Sequence, residues 1–237
     1  MSSPTPPRYK MIEEFLLTRI RNGDYPVNHQ IPPEEQLARD FSVSRMTANK
    51  AINNLVQQGY LVRQAGLGTF VTDLRAESSL QEVMNIAEEV RARGHQYSND
   101  VLRSEAVAAD DEVALRLGLR IGSPVFHSIL VHRENGLPIQ LEDRYVNPRW
   151  VPHYLASDFS RQTPNEVLVA NCPISDIEHV VEAIHADAQT ARWLEIEPGA
   201  ACLCMVRRTW SSENLVSYVR LTHPGERYKL RSTTRHR

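Results

Sequence analysis

Residues 31–72 read IPPEEQLARDFSVSRMTANKAINNLVQQGYLVRQAGLGTFVT, and no other stretch restricts the fold of this chain as tightly. A helix is expected over 33–41. Pro33 stands at about its first position, where no N–H partner is lost, and Glu34 and Glu35 complement the positive helix end. Ser42 and Val43 leave room only for a tight turn. Ser44 is then placed to cap a second helix by accepting from an early N–H, and Gly59 is its expected stop. Ala48, Ala51, Ile52 and Leu55 recur at i, i+3, i+4 and i+7, which makes one buried face. Arg45, Met46, Asn49, Lys50 and Asn53 lie opposite. Tyr60-Leu-Val-Arg and Thr69-Phe-Val-Thr flank Gln64-Ala-Gly-Leu-Gly, the pattern of a small hairpin with glycine in its turn. Helix, turn, helix and hairpin together predict a winged helix-turn-helix, whose second helix offers donors to a major groove. A further helix over 8–22, with Ile12, Phe15, Leu16 and Ile20 on one face, is expected to pack beneath it.

Charge permits this reading without carrying it. The formal net charge is −2, but residues 1–75 sum to +2, residues 76–226 to −9 and residues 227–237 to +5. An acidic body with a mildly basic head is compatible with DNA binding, since only the groove-facing surface has to be positive. No apolar run is long enough to span a bilayer and no signal-peptide core is visible, so a cytoplasmic protein with no membrane partner is expected. Cys172, Cys202 and Cys204 are read as small buried hydrophobes in a reducing compartment. The histidines are dispersed and neither HExxH nor CxxC occurs, so no metal, cofactor or catalytic set is expected.

After residue 72 the composition shifts. Residues 73–79 read as a linker, and Ser78 or Ser79 is placed to cap a helix over 80–93. Strands are expected over 99–107, 125–132, 139–146, 200–210 and 215–222. Helices are expected over 110–117, 164–170, 174–183 and 187–193. Asn135-Gly136 marks a two-residue hairpin turn. Hairpin-joined strands with interspersed helices predict an α+β domain over 80–237 with a mostly antiparallel sheet.

Leu37-Ala, Phe41-x-Val-Ser-Arg-x-Thr, Leu55-Val-x-x-Gly and Gly66-x-Gly-Thr-Phe-Val resemble the N-terminal head of the GntR family of bacterial transcription regulators. Asn135-Gly-x-Pro-x-x-x-Glu, Tyr145-Val and Pro224-Gly-Glu-Arg-Tyr resemble the UTRA domain, the ligand-binding body of one branch, whose fold is similar to chorismate lyase. Fuller strings, among them Gln140-Leu-Glu-Asp-Arg-Tyr-Val-Asn-Pro and Arg207-Arg-Thr-Trp, resemble the histidine-utilisation (HutC) branch. The resemblance implies a repressor that binds pseudo-palindromic double-stranded operator DNA as a homodimer. It also implies release by urocanate, the small-molecule effector.

Arg45 is the foremost DNA-reading candidate, because a guanidinium early in a groove-inserted helix can bind guanine O6 and N7. Ser44 and Thr47 are placed for phosphates, Asn49 and Lys50 for the exposed helix face, and the wing backbone at Gly66 and Gly68 for the minor groove. Many relatives carry arginine where this chain has Glu35 and Asn49, which implies fewer phosphate contacts or a shifted base preference. For the effector, Glu142 matches the acid that UTRA domains point at their ligand. Arg144 shares its strand face, Asp143 does not, and His132 lies on the partner strand. The resemblance adds Ser79, Thr163, Asn165, Ser217 and His223. Against these stand plainer readings: an exposed Glu142–Arg144 pair, a satisfied core His132, Thr163 as a helix cap. Two other functions compete: an enzyme of the chorismate-lyase type, resting on fold alone, and a regulator that senses another small anion such as a sugar phosphate. The linker at 73–79 is the expected route of coupling between effector and operator.

Overall fold

The computed structural model describes residues 7–73, 76–79 and 85–231; for Arg21 and 76–79 it describes the backbone alone. The chain divides into two units, Met1–Leu74 and Arg75–Arg237.

In the first unit, α1 (Arg8–Arg21), α2 (Glu34–Asp40) and α3 (Arg45–Gln57) are followed by a hairpin of β1 (Leu61–Gln64) and β2 (Gly68–Val71). Ile12 and Leu16 of α1, Leu37 of α2, and Ala48, Ala51, Ile52 and Leu55 of α3 form its core with Leu61 and Val71. These are the residues whose helical spacing predicted a buried face. Ser44 caps α3 as expected, its Oγ accepting from the Thr47 N–H at 3.2 Å. Pro33 stands at the N-cap of α2, one position outside the helix. Ser42 turns the chain between α2 and α3 at φ +50°, and Asn28 adopts φ +65°. The wing turn needs glycine. Gly68 sits at φ +128°, and a Cβ there would lie 2.5 Å from Gln30 Nε2, which itself donates to the Leu67 carbonyl at 2.8 Å.

The second unit contains β3 (Ala76–Ser79), α4 (Ile86–Ala92), β4 (Tyr97–Ala108), α5 (Asp111–Leu117), β5 (Pro124–Glu134), β6 (Leu137–Val146), α6 (Pro164–Asn171), β7 (Asp176–His185), α7 (Ala188–Leu194), β8 (Ala201–Ser211), β9 (Asn214–Pro224) and β10 (Tyr228–Arg231). Six strands form one antiparallel sheet in the order β4-β5-β6-β9-β8-β7. Strands β3 and β10 pair in parallel beside it. On one face, Val113, Ala114 and Leu117 of α5 pack on Val125, Cys204, Val206 and Tyr218, and Leu194 of α7 packs on Ile129, Val131 and Leu141. On the other, Val167 and Leu168 of α6 join Tyr154 and Phe159 over Leu130 and Val146. Asp110 caps α5, and Thr163 with Glu166 forms a reciprocal capping box on α6. Cys172, Cys202 and Cys204 are buried free thiols.

Three expectations are corrected. Residues 174–183 are not a helix: Asp176–His185 is an edge strand paired along its whole length with β8. Its apolar residues at 174, 177, 181 and 184 fit a helical stripe, but the β-branched Ile177, Val180, Val181 and Ile184 suit a pleated strand equally. Sequence period alone does not separate the two. Residues 76–79, expected to finish a linker, are strand β3. The helix expected over 80–93 is broken at Asn85, which caps Ile86–Ala92; residues 80–84, and the side chains of the expected caps Ser78 and Ser79, lie outside the described residues.

Candidate functional site

Two sites emerge, one in each unit. In the head, the start of α3 and the hairpin line one cleft, with Arg45, Arg63, Gly66 and Gly68 among its residues. Arg45 is 67% exposed, and its guanidinium lies 3.5 Å from Glu34 and 3.2 Å from Glu35. Glu34 is a junction that sequence reading missed. Its carboxylate also accepts from Arg63 of the wing at 2.8 Å and from Asn49 at 2.7 Å. A surface pair of this kind is worth about 0–1 kcal/mol, so Arg45 is steered by the two acids without being locked.

The other predicted DNA-binding residues differ in how free they are. Ser44 and Thr47 bond each other through their hydroxyls at 2.9 Å. The Asn49 amide donates to Glu34 and accepts from Asn53, so it belongs to an internal network. Lys50 sits 4.5 Å from the Tyr9 ring centroid as a cation–π pair. Gly66 and Gly68 hold positive φ in the wing turn.

In the body, strand register assembles the second site. Cross-strand partners share a face. Glu142 stands beside Leu221 and Met205 across β6, β9 and β8, and Arg144 stands beside Val219 and Arg207. The resulting pocket has Glu142, Arg144, Thr163, Asn165 and His223 on its wall. These five were read from sequence. Arg207, Gln140, Asn85 and Tyr228 line it too and were not. His132 and Ser217 stand behind the wall as hydrogen-bond partners of Glu142 and Arg144.

Both oxygens of Glu142 are engaged. Arg144 Nε donates to Oε1 at 2.6 Å, and His132 Nε2 lies 3.1 Å from Oε2. Burial pushes this carboxyl up, but the Arg144 charge and the His132 bond outweigh it and hold it at about 2. The chain of donors continues outward. Tyr97 OH meets His132 Nδ1 at 2.8 Å, and Asn99 donates to the Tyr97 oxygen at 3.0 Å. Burial pushes the Tyr97 hydroxyl up, so it stays protonated in this network. Arg144 Nη1 donates to Ser217 at 3.2 Å. The pair is fully buried, not an exposed charge pair. Asp143 faces the other way, as expected, bonding His127 at 2.7 Å.

His223 is neutral for a different reason. Burial, reinforced by the charges of His132 and Arg207, pushes it down to about 3. Its Nδ1 donates to the Ile139 carbonyl at 3.1 Å, so Nε2 accepts from Gln140 at 3.2 Å. Tyr228 stacks on it with ring centroids 3.6 Å apart. The cavity therefore combines a neutral imidazole, amides and hydroxyls with two guanidiniums, one of them already paired.

A winged helix-turn-helix presenting an arginine, joined to a body with a polar pocket, defines a transcription regulator of the two-unit kind. The chain belongs to the GntR family of bacterial regulatory proteins, whose model matches residues 8–71, while the UTRA domain model matches residues 92–229. It is a regulator and not an enzyme. It is 47% identical to a histidine utilization repressor of Pseudomonas putida, over 94% of this chain and 90% of that protein. It is 41% identical to one of Klebsiella aerogenes, over 97% and 95%. Among solved structures it is similar to the C-terminal domain of the histidine utilization repressor of Pseudomonas syringae pv. tomato (43% identity, TM-score 0.58, 60% of this chain and 100% of that one). The fold of PhnF from Mycobacterium smegmatis is also similar, at 18% identity and TM-score 0.67, covering 98% of this chain and 100% of that one. Among the described residues no helix is long and apolar enough to cross a membrane.

Proposed function

We propose that this chain represses histidine-utilisation genes, binding a pseudo-palindromic operator as a homodimer and leaving it when urocanate fills the body cavity. The observation that carries the effector assignment is the chemistry of the cavity wall. Urocanate joins an imidazole to a carboxylate. The wall offers uncharged partners for the ring in the Gln140 and Asn165 amides, and a cation for the carboxylate. A sugar phosphate fits less well. Its dianion would meet Glu142 and Glu89 on the same wall, with Arg144 already committed to Glu142. Identity above 40% to relatives named as histidine utilization repressors, running through head and body alike, supports the operon assignment.

Urocanate can release the operator only by binding a non-operator arrangement more tightly, and operator DNA must then weaken urocanate by the same factor. The test is fluorescence anisotropy of labelled operator at fixed salt, titrated with urocanate and, in parallel, with an amino-sugar phosphate. Urocanate should lower operator affinity and the sugar phosphate should leave it alone; an operator affinity indifferent to urocanate sinks the scheme.

A further inference from the structure

The two guanidiniums of the cavity are not equivalent. Arg144 is spent on Glu142 and Ser217. Arg207 is buried against the same space, yet its partners are neutral: Nε donates to His179 Nε2 at 2.7 Å and Nη2 points at the Met205 thioether at 3.7 Å. It forms no ion pair with a carboxylate among the described residues. A buried cation served by an imidazole and a weak sulfur acceptor lacks the anion its charge calls for.

A second, independent group lines the cavity in the same condition. Asn85 is buried, its Oδ1 accepts from the Ala87 N–H at 3.0 Å, and its Nδ2 has no partner. The cap bond fixes which end of the amide is which, so the orphaned atom is a donor. Glu89, one turn along α4 from Asn85, is close enough for its charge to reach Arg207. From these we propose that Arg207 and the Asn85 amide form the anion-binding end of the cavity and hold a small carboxylate, while Glu142–Arg144 is a closed pair that shapes the wall.

The charge balance selects the class of ligand. Glu89, Glu142, Arg144 and Arg207 are the ionisable groups on the wall whose charges matter here, with His223 neutral and Tyr228 stacked on it. Two carboxylates and two guanidiniums leave the wall without net charge, so a bound monoanion adds one uncompensated negative charge and a phosphate dianion adds two. Burial, reinforced by the charge of Arg144, pushes Arg207 down to about 10, the direction expected of a cation waiting for a partner. A guanidinium also suits a planar carboxylate, which it can meet with two parallel N–H donors.

The inference rests on reading the cavity as an effector site, and its test separates the two. Binding of urocanate, its neutral amide and imidazole is followed by thermal shift and tryptophan fluorescence on the full chain. The wild-type protein should prefer the acid to the amide by about 10- to 100-fold, the range of a charge-assisted hydrogen bond. Arg207→Gln should abolish that preference, and Asn85→Asp, which keeps the cap acceptor but adds a negative charge, should weaken the acid more than the amide. If Arg207→Gln fails to fold, Arg207→Lys and Asn85→Asp carry the test. An undiminished preference for the acid in these variants overturns the subsite while leaving urocanate as effector. If the wild-type protein ignores urocanate, the effector assignment falls, and a panel of small carboxylates and inorganic phosphate decides the subsite. A carboxylate response that depends on Arg207 upholds it; a response to phosphate alone, or to no anion, overturns it.

Discussion

Arg45 in the head and Arg144 in the body each face a glutamate, at 3.5 Å from Glu34 and 2.6 Å from Glu142. The residue types are the same and the physics is opposite. Arg45 is two-thirds in water, where its attraction to Glu34 and Glu35 is screened and easily exchanged for another anion. Arg144 is 1% exposed, and removing either partner strands a charge in a medium that cannot solvate it. Water around an ion pair thus decides whether it acts as a contact in waiting or as scaffold. The head keeps Arg45 in solvent, and the body closes Glu142 and Arg144 on each other in the cavity wall.

The largest expected effect tests that contrast directly. Glu142→Ala should destabilise the body by about 3–5 kcal/mol, the penalty for leaving a buried partner unpaired. Urea denaturation read by tryptophan fluorescence measures it cleanly, since Trp150, Trp193 and Trp210 all lie in the second unit. A loss under about 1 kcal/mol would mean the pair behaves like a surface one.

Acid should find the same difference. His223 sits at about 3 against an ordinary 6.5, and Glu142 at about 2 against 4.5. Both are depressed in the folded state, so the stability each contributes is complete above its ordinary value and is lost as pH falls towards the folded value. The denaturation midpoint of the body should therefore decline from pH 6.5 downward and steepen below 4.5. His223→Asn, which keeps a donor for the Ile139 carbonyl, should remove the upper part of that decline. A midpoint flat from pH 7 to about 5 would contradict the burial argument.

In the head, Arg45→Ala should cost roughly 1–3 kcal/mol of discrimination at a single base pair while moving the unfolding midpoint very little. Binding across a set of single-base operator variants reads it out. Uniform weakening at every position would reassign Arg45 to phosphate contact. The smallest effect belongs to Ser44→Ala, about 1 kcal/mol of stability from the lost cap, confined to the head and visible by circular dichroism more than by tryptophan fluorescence.

Much of this was legible in the chain because local rules wrote it. The spacing of Ala48, Ala51, Ile52 and Leu55 gave the buried face of α3. Ser44 announced its cap and Asn135-Gly136 its turn. The two-residue period put Glu142 and Arg144 on one face and Asp143 on the other. The edge strand at Asp176–His185 was misread because an exposed run of β-branched residues satisfies two periods at once, and only pairing with β8 decides between them. Arg207 went unread as a site residue for a related reason. Its string was noticed, but nothing local says that it shares a row with Arg144, two strands away through β9.

What the sequence determined alone is therefore the identity and span of most elements, the capped recognition helix, the two-unit plan and the acid-and-base pair on β6. What the tertiary structure decided is which polar groups are engaged and which are left over: Asn49 drawn into a network by Glu34, Glu142 engaged by His132 and Arg144, and Arg207 left facing the cavity with neutral partners. The reason is that helix caps and strand faces depend on neighbours a few residues apart. The state of a buried charge depends on everything within a few ångströms, and separate strands supply those groups, as His132 of β5 does for Glu142 and His179 of β7 for Arg207.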